Sequence, residues 1–146
     1  MANKPSLTLK RRFRASPSQV FSAWTDPKKI VRWFGPRDTR QDSVVAEMDL
    51  RVGGRYRIGF EGTGGERHEV GGSFREVVPD HRLVFSWAWH STPERESLVS
   101  ITLARDGNDG TMLTLEHAQF FNDKARDDHE RGWTGTLEKL DHYLAQ

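Results

Sequence analysis

Between Val44 and Ala118 the chain reads as six short runs of Val, Ile, Leu, Phe, Tyr and Trp, each cut off from the next by a few turn-forming residues. The separators are Gly53-Gly54, Gly62-Thr63-Gly64-Gly65, Pro79-Asp80-His81, Thr92-Pro93-Glu94 and Asp106-Gly107-Asn108-Asp109-Gly110. Residues of these types tolerate positive φ or preset a turn. Connections this short cannot carry the crossover that parallel strands require, so the runs must form an antiparallel meander. Period-2 alternation puts Tyr56, Ile58 and Phe60 on one face, and likewise Leu83, Phe85, Trp87 and Trp89, then Val99, Ile101 and Leu103, then Leu113, Leu115 and His117. That face is apolar in every run and has to be covered.

The flanks supply the cover. Leu7, Leu9, Arg11 and Phe13 alternate with polar residues, which is the pattern of a half-buried first strand with Arg11 on its apolar face. Ser16-Pro17-Ser18-Gln19 offers a capping box with proline at the first helical position, and a short helix carrying Val20, Phe21 and Trp24 follows. Asp26-Pro27 repeats the signal and predicts a second short helix with Ile30, Trp33 and Phe34, ended by Gly35-Pro36. From Asn122 or Asp123 to about Leu144, His129, Trp133, Leu137, Leu140 and Leu144 recur at three or four residues and predict the one long helix. Gly132 and Gly135 weaken that helix by roughly 1 kcal/mol each relative to alanine, so they are expected where another backbone comes close.

These elements make one α+β domain over residues 1–146. In it a curved antiparallel sheet of about seven strands wraps a C-terminal helix, in the order strand, two short helices, six strands, long helix. Such a sheet has more apolar face than the helices cover directly, so an interior cavity is expected if the short helices hold its mouth open. Twenty-two Lys plus Arg against 21 Asp plus Glu leave no field favouring nucleic acid or an anionic membrane. Without cysteine there is no disulfide or thiolate chemistry. No apolar leader or membrane-length stretch is present, so a cytoplasmic protein without membrane insertion is expected. No P-loop, dinucleotide fingerprint, Gly-x-Ser-x-Gly elbow or zinc helix occurs, and no cofactor or metal is expected.

The segments Leu7 to Pro17, Val20 to Pro27, Trp33-Phe34-Gly35-Pro36, Gly53-Gly54-Arg55-Tyr56, Gly72 with Phe74 to Pro79, Arg82-Leu83-Val84-Phe85 and Leu113 to His117, with His129, Gly132, Trp133, Leu137 and Leu140, form a pattern along almost the whole chain. In these the chain resembles the activator of heat-shock-protein-90 ATPase homologue family of the START-like (SRPBCC) superfamily. The resemblance implies a helix-grip fold with a deep cavity between sheet and C-terminal helix, and it carries no shared catalytic motif. It also implies relatives that bind hydrophobic molecules, some cyclases or hydrolases, and a co-chaperone whose separate chaperone-binding module is absent here.

The function expected first is binding or carrying of a small hydrophobic molecule. The expected pocket residues are Phe21, Trp24, Trp33, Phe34, Tyr56, Phe60, Phe74, Phe85, Trp87, Trp89, His117, His129, Trp133 and Leu137, because pockets are mostly apolar with a few orienting polar groups. Trp33 and Phe34 are placed at the rim, on a segment able to act as a lid. His117, His129, Arg11 and Tyr56 are the candidates for orienting a ligand. Arg11, if enclosed, needs a buried carboxylate such as Glu76 or Glu116. An enzyme of cyclase or hydrolase type would need two groups among Glu47, Asp49, Glu61, Glu116, His117 and His129 to converge. A chaperone-linked or stress-response interaction module, or a homodimer, would use the sheet's outer face instead.

Overall fold

The computed structural model describes residues 4–146. Its elements are β1 (Leu7–Phe13), α1 (Pro17–Thr25), α2 (Pro27–Ile30), β2 (Thr39–Met48), β3 (Arg55–Gly62), β4 (Arg67–Val78), β5 (Arg82–Trp89), β6 (Ser97–Asp106), β7 (Gly110–Ala118) and α3 (Asp123–Leu144). All seven strands lie in one sheet, in the order β1-β7-β6-β5-β4-β3-β2, and every pairing is antiparallel. This is the helix-grip architecture: a curled half-barrel closed over a long terminal helix.

Local chemistry sets the boundaries. The Ser16 hydroxyl accepts from the Gln19 amide and the Gln19 side chain accepts from the Ser16 amide, so α1 begins on a complete capping box. The Asp26 carboxylate caps α2, and the Asn122 side chain caps α3. The second helix is shorter than its sequence predicts. It ends at Ile30, and Trp33 and Phe34 follow in turns whose amides both return to the Ile30 carbonyl. Two irregularities of register, between Arg40 and Val45 and between Phe74 and Glu76, bend the sheet. Gly72 meets the Ser86 carbonyl where a Cβ would stand, so β4 and β5 approach closely there.

The core lies between the concave face of the sheet and α3, with α1 and the turn after α2 filling one end. Trp133, Leu137 and Leu140 project from α3 into that face. Arg11 sits on the inward face of β1, as its phase predicts, but its partner is neither Glu76 nor Glu116. Its guanidinium donates to Asp141, near the end of α3, at 3.0 Å, and both side chains remain partly wet. Glu76 pairs with Arg82 on the sheet itself, and Glu116 is exposed. The reason is position: β1 is an edge strand, and Arg11 meets the polar last turns of the helix rather than the enclosed interior. No described helix is long and apolar enough to cross a membrane.

Candidate functional site

Two periodicities meet at the site. The period of two brings Trp87 and Trp89 to the same face of β5, and the period of 3.6 brings His129, Gly132, Trp133 and Thr136 to one face of α3. Where they cross, His129 Nε2 receives the indole N–H groups of both Trp87 (3.3 Å) and Trp89 (3.0 Å). An indole nitrogen can only donate, so Nε2 must present its lone pair and the ring proton must sit on Nδ1. That proton is donated to the Ala125 carbonyl at 2.7 Å. Burial pulls the His129 pKa below its ordinary value, and the Ala125 carbonyl and Asp128 oppose this in part.

His117 on β7 is held by the same logic. It is fully buried, and its Nδ1 accepts from the Trp133 indole at 3.0 Å. The neutral ring therefore carries its proton on Nε2 and donates it to Ser97 Oγ at 2.7 Å, and Ser97 donates onward to the Trp87 carbonyl at 3.2 Å. Burial, with a smaller contribution from His129, lowers the His117 pKa to about 2. Three tryptophans, two histidines and a serine thus form one fully assigned polar network inside an aromatic core.

Beside this network opens a crevice of about 290 Å³. Its walls are the rings of Phe34, Phe60, Trp87, Trp89 and Trp133, with Gly35-Pro36 on one side and Asp128, His129, Gly132 and Thr136 of α3 on the other. Several of the rings meet steeply, at 86° between Trp87 and Trp89, 87° between Phe34 and Trp133 and 70° between Phe34 and Phe60, while Trp87 is tilted by 46° to Phe34 and 48° to Trp133. A Cβ added to Gly132 would touch nothing within 4 Å, so this glycine leaves space on the crevice side. Gly135 instead allows the close approach expected of it, since a Cβ there would lie 2.8 Å from Arg37 Cγ.

Six of the expected pocket residues therefore surround the crevice: Phe34, Phe60, Trp87, Trp89, His129 and Trp133. The others do not. Trp24, Tyr56, Phe74 and Phe85 border an internal void of only about 20 Å³, room for about one water molecule. Their rings pack against one another, with Tyr56 and Phe85 centroids 5.3 Å apart, and this fills the deep cavity that the resemblance implies. Phe21, Trp33 and Leu137 belong to the hydrophobic core, and His117 is buried beside it. Tyr56 and Arg11, expected to orient a ligand, have polar partners within the fold: Tyr56 donates to the Ser86 carbonyl at 2.7 Å and Arg11 donates to Asp141.

Trp33 is not at the rim. It is fully buried and donates to the Ala23 carbonyl at 3.2 Å. The turn that carries Phe34 is also tied down: Lys139 Nζ donates to the carbonyls of Phe34 (3.4 Å) and Pro36 (3.2 Å) and to Gln41 Oε1 (2.7 Å), while Gln41 donates to Val31 and Phe34. Burial lowers the Lys139 pKa to about 8, against the pull of Asp38. Replacing Lys139 with methionine is expected to lower the melting temperature by a few degrees, as two carbonyls lose a charged donor, and thermal denaturation checks it.

Of the acid-base candidates only His117 and His129 come together, with ring centroids 5.1 Å apart, and their ring nitrogens are all engaged in the network; no carboxylate candidate joins them. Glu47 pairs with Arg57, Asp49 with Arg51 and Glu61 with Arg40, all at the surface. Two larger hollows, of about 570 and 580 Å³, have mixed linings that include charged residues such as Arg55, Glu69 and Arg67, without the full aromatic box. The sequence pattern of α3 already holds Gly132 and Thr136 on the face of His129 and Trp133, and this signal would have added both to the expected lining. Gly35 and Pro36 carry no such signal.

Comparison with known proteins is consistent with this geometry. A family model described as Activator of Hsp90 ATPase homolog 1-like protein matches residues 14–145. The AHSA1 protein from Silicibacter pomeroyi is 29% identical with a TM-score of 0.80, over 97% of this chain and 98% of its own. CalU16 from Micromonospora echinospora is 31% identical with a TM-score of 0.72, over 95% of this chain and 75% of its own. A protein from Chromobacterium violaceum is 26% identical with a TM-score of 0.79, over 94% and 96% of the two chains. No curated protein sequence matches the chain.

Proposed function

The chain belongs to the Activator of Hsp90 ATPase homolog 1-like protein family, within the START-like superfamily, and on that premise we propose that it binds a small hydrophobic molecule in the crevice between β3, β5 and α3. The observation that carries this reading is the box of five aromatic rings around about 290 Å³ of open volume. A pocket near the lower end of the ligand-binding range, with apolar walls and few polar groups, suits a compact ligand. Phe34, Phe60, Trp87 and Trp133 are buried and Trp89 is half-buried, so the box is held rigidly by the core, and a ligand in the crevice would add dispersion contacts to its rims.

The test is thermal denaturation and tryptophan fluorescence against a library of compact apolar and aromatic compounds. A ligand that binds only the folded state raises the melting temperature, by an amount set by its concentration over its Kd. Gly132→Leu is expected to abolish the shift, because the new side chain enters the open volume. The same variant is expected to be at least as stable as the parent without ligand, since leucine is the better helix former by roughly 1 kcal/mol. A library without effect on either signal would overturn the proposal.

The cyclase or hydrolase reading has less support, because both ring nitrogens of His129 are engaged and Asp128 is held by Lys124 and Arg131. The chaperone-linked reading rests on the family description alone.

A further inference from the structure

The crevice walls carry information about the sign of the ligand's charge. Every side-chain donor around the crevice is already committed. Trp87 and Trp89 donate to His129, Trp133 donates to His117, His129 donates to the Ala125 carbonyl, and Thr136 donates to the Gly132 carbonyl. The nearby Lys139 aims its protons at Phe34, Pro36 and Gln41, and it is not part of the lining. A carboxylate or phosphate placed among these walls would lose its hydration and find no side-chain N–H or O–H in exchange, which is the costly case of an unpaired buried anion.

A cation meets different conditions. Among the described residues of the lining, the one charged side chain is the carboxylate of Asp128, which adds an acceptor and no donor although it already pairs with Lys124 and Arg131 outside the crevice. The adjoining groove, which shares Pro36, Phe60 and Trp89 with the crevice, adds Asp38, Glu66 and Glu69 against Arg67. Five aromatic rings line the crevice, and they meet one another at angles from 46° to 87°, so they are not stacked in one plane. Such a box stabilises a positive charge through the ring quadrupoles, and most of all a quaternary ammonium, which has no N–H to satisfy.

We propose that the crevice selects compact organic cations, of the quaternary or tertiary ammonium class, over neutral and anionic molecules of the same shape. This rests on the reading of the crevice as a ligand site, and it names the class of ligand.

The test compares three probes by tryptophan fluorescence and calorimetric titration of the intact protein. Phenyltrimethylammonium and tert-butylbenzene have the same shape and differ by one charge, and phenylacetate carries the opposite charge. The ammonium is expected to bind about tenfold more tightly than its neutral isostere, with phenylacetate weakest. Phe60→Leu keeps the wall apolar but removes one ring, and is expected to narrow the preference for the cation over tert-butylbenzene. Equal or tighter binding of the neutral isostere, or of phenylacetate, would overturn the charge selection and leave the crevice as a hydrophobic site. Binding of none of the three, together with a silent library, would overturn both. If the Phe60 variant fails to fold, the isostere comparison on the parent chain still decides the matter.

Discussion

Replacing His117 with alanine is expected to destabilise the protein by about 3–5 kcal/mol, lowering the melting temperature by on the order of 10 °C. His117 has no exposed surface, so nothing can rehydrate what the substitution leaves behind. The Trp133 indole loses its acceptor and the Ser97 hydroxyl loses its donor. An imidazole-sized hole opens beside Phe120, whose ring lies 4.1 Å from His117 between centroids. Asparagine at 117 offers an oxygen where Nδ1 stands and is expected to recover about 1 kcal/mol or more of the loss. Urea or thermal denaturation of the two variants measures the difference, and equal stability of both would contradict the assignment of Nδ1 as an acceptor.

Acid should unfold the protein through the same residue. The folded-state pKa of His117 lies at about 2, while in the unfolded chain the ring titrates near its ordinary value of 6.5. Below that value the unfolded state takes up a proton that the folded state refuses, so the stability contributed by the neutral ring is complete above about pH 6.5 and declines as the pH falls. The decline is about 1.4 kcal/mol per pH unit, or close to 3 kcal/mol by about pH 4.5. His129 is shifted the same way and steepens the slope. The carboxylates of Asp109, Asp128 and Glu138, lowered by Arg12, Lys124 and Arg37 respectively, act only further into acid, below their own ordinary values. The window between about pH 6.5 and 4.5 therefore belongs to the histidines. Denaturation across that window should show the slope in the parent and a shallower one in His117→Asn. A flat parent profile would contradict a neutral, inaccessible His117.

The fold was legible in the sequence because its determinants are local. Turn residues between Val44 and Ala118 fix an antiparallel meander, Ser16-Pro17-Ser18-Gln19 carries a local helix-start signal, and the spacing of His129, Trp133, Leu137 and Leu140 marks one helix face. The candidate site was legible only as a set of aromatic residues. Which rings face space and which pack together depends on sheet curvature and on side-chain directions, and neither is written in a period of two. Trp87 and Phe85 share a strand and a face and both border the small inner void, yet only Trp87 also lines the crevice. The phase of β1 turns Arg11 inward, but its partner lies 130 residues away on α3, a distance over which strand phase says nothing. Trp33 was misplaced because α2 stops at Ile30, and the turn that follows rotates the indole into the core and onto the Ala23 carbonyl.

The chain has five tryptophans, so five indole N–H signals can be followed by nuclear magnetic resonance as an apolar aromatic compound is added. The indoles of Trp87, Trp89 and Trp133 should shift together and saturate, with Trp33, sealed behind the turn, unmoved. Signals that stay in place throughout, or that move at Trp33 while those of the crevice do not, would contradict the site.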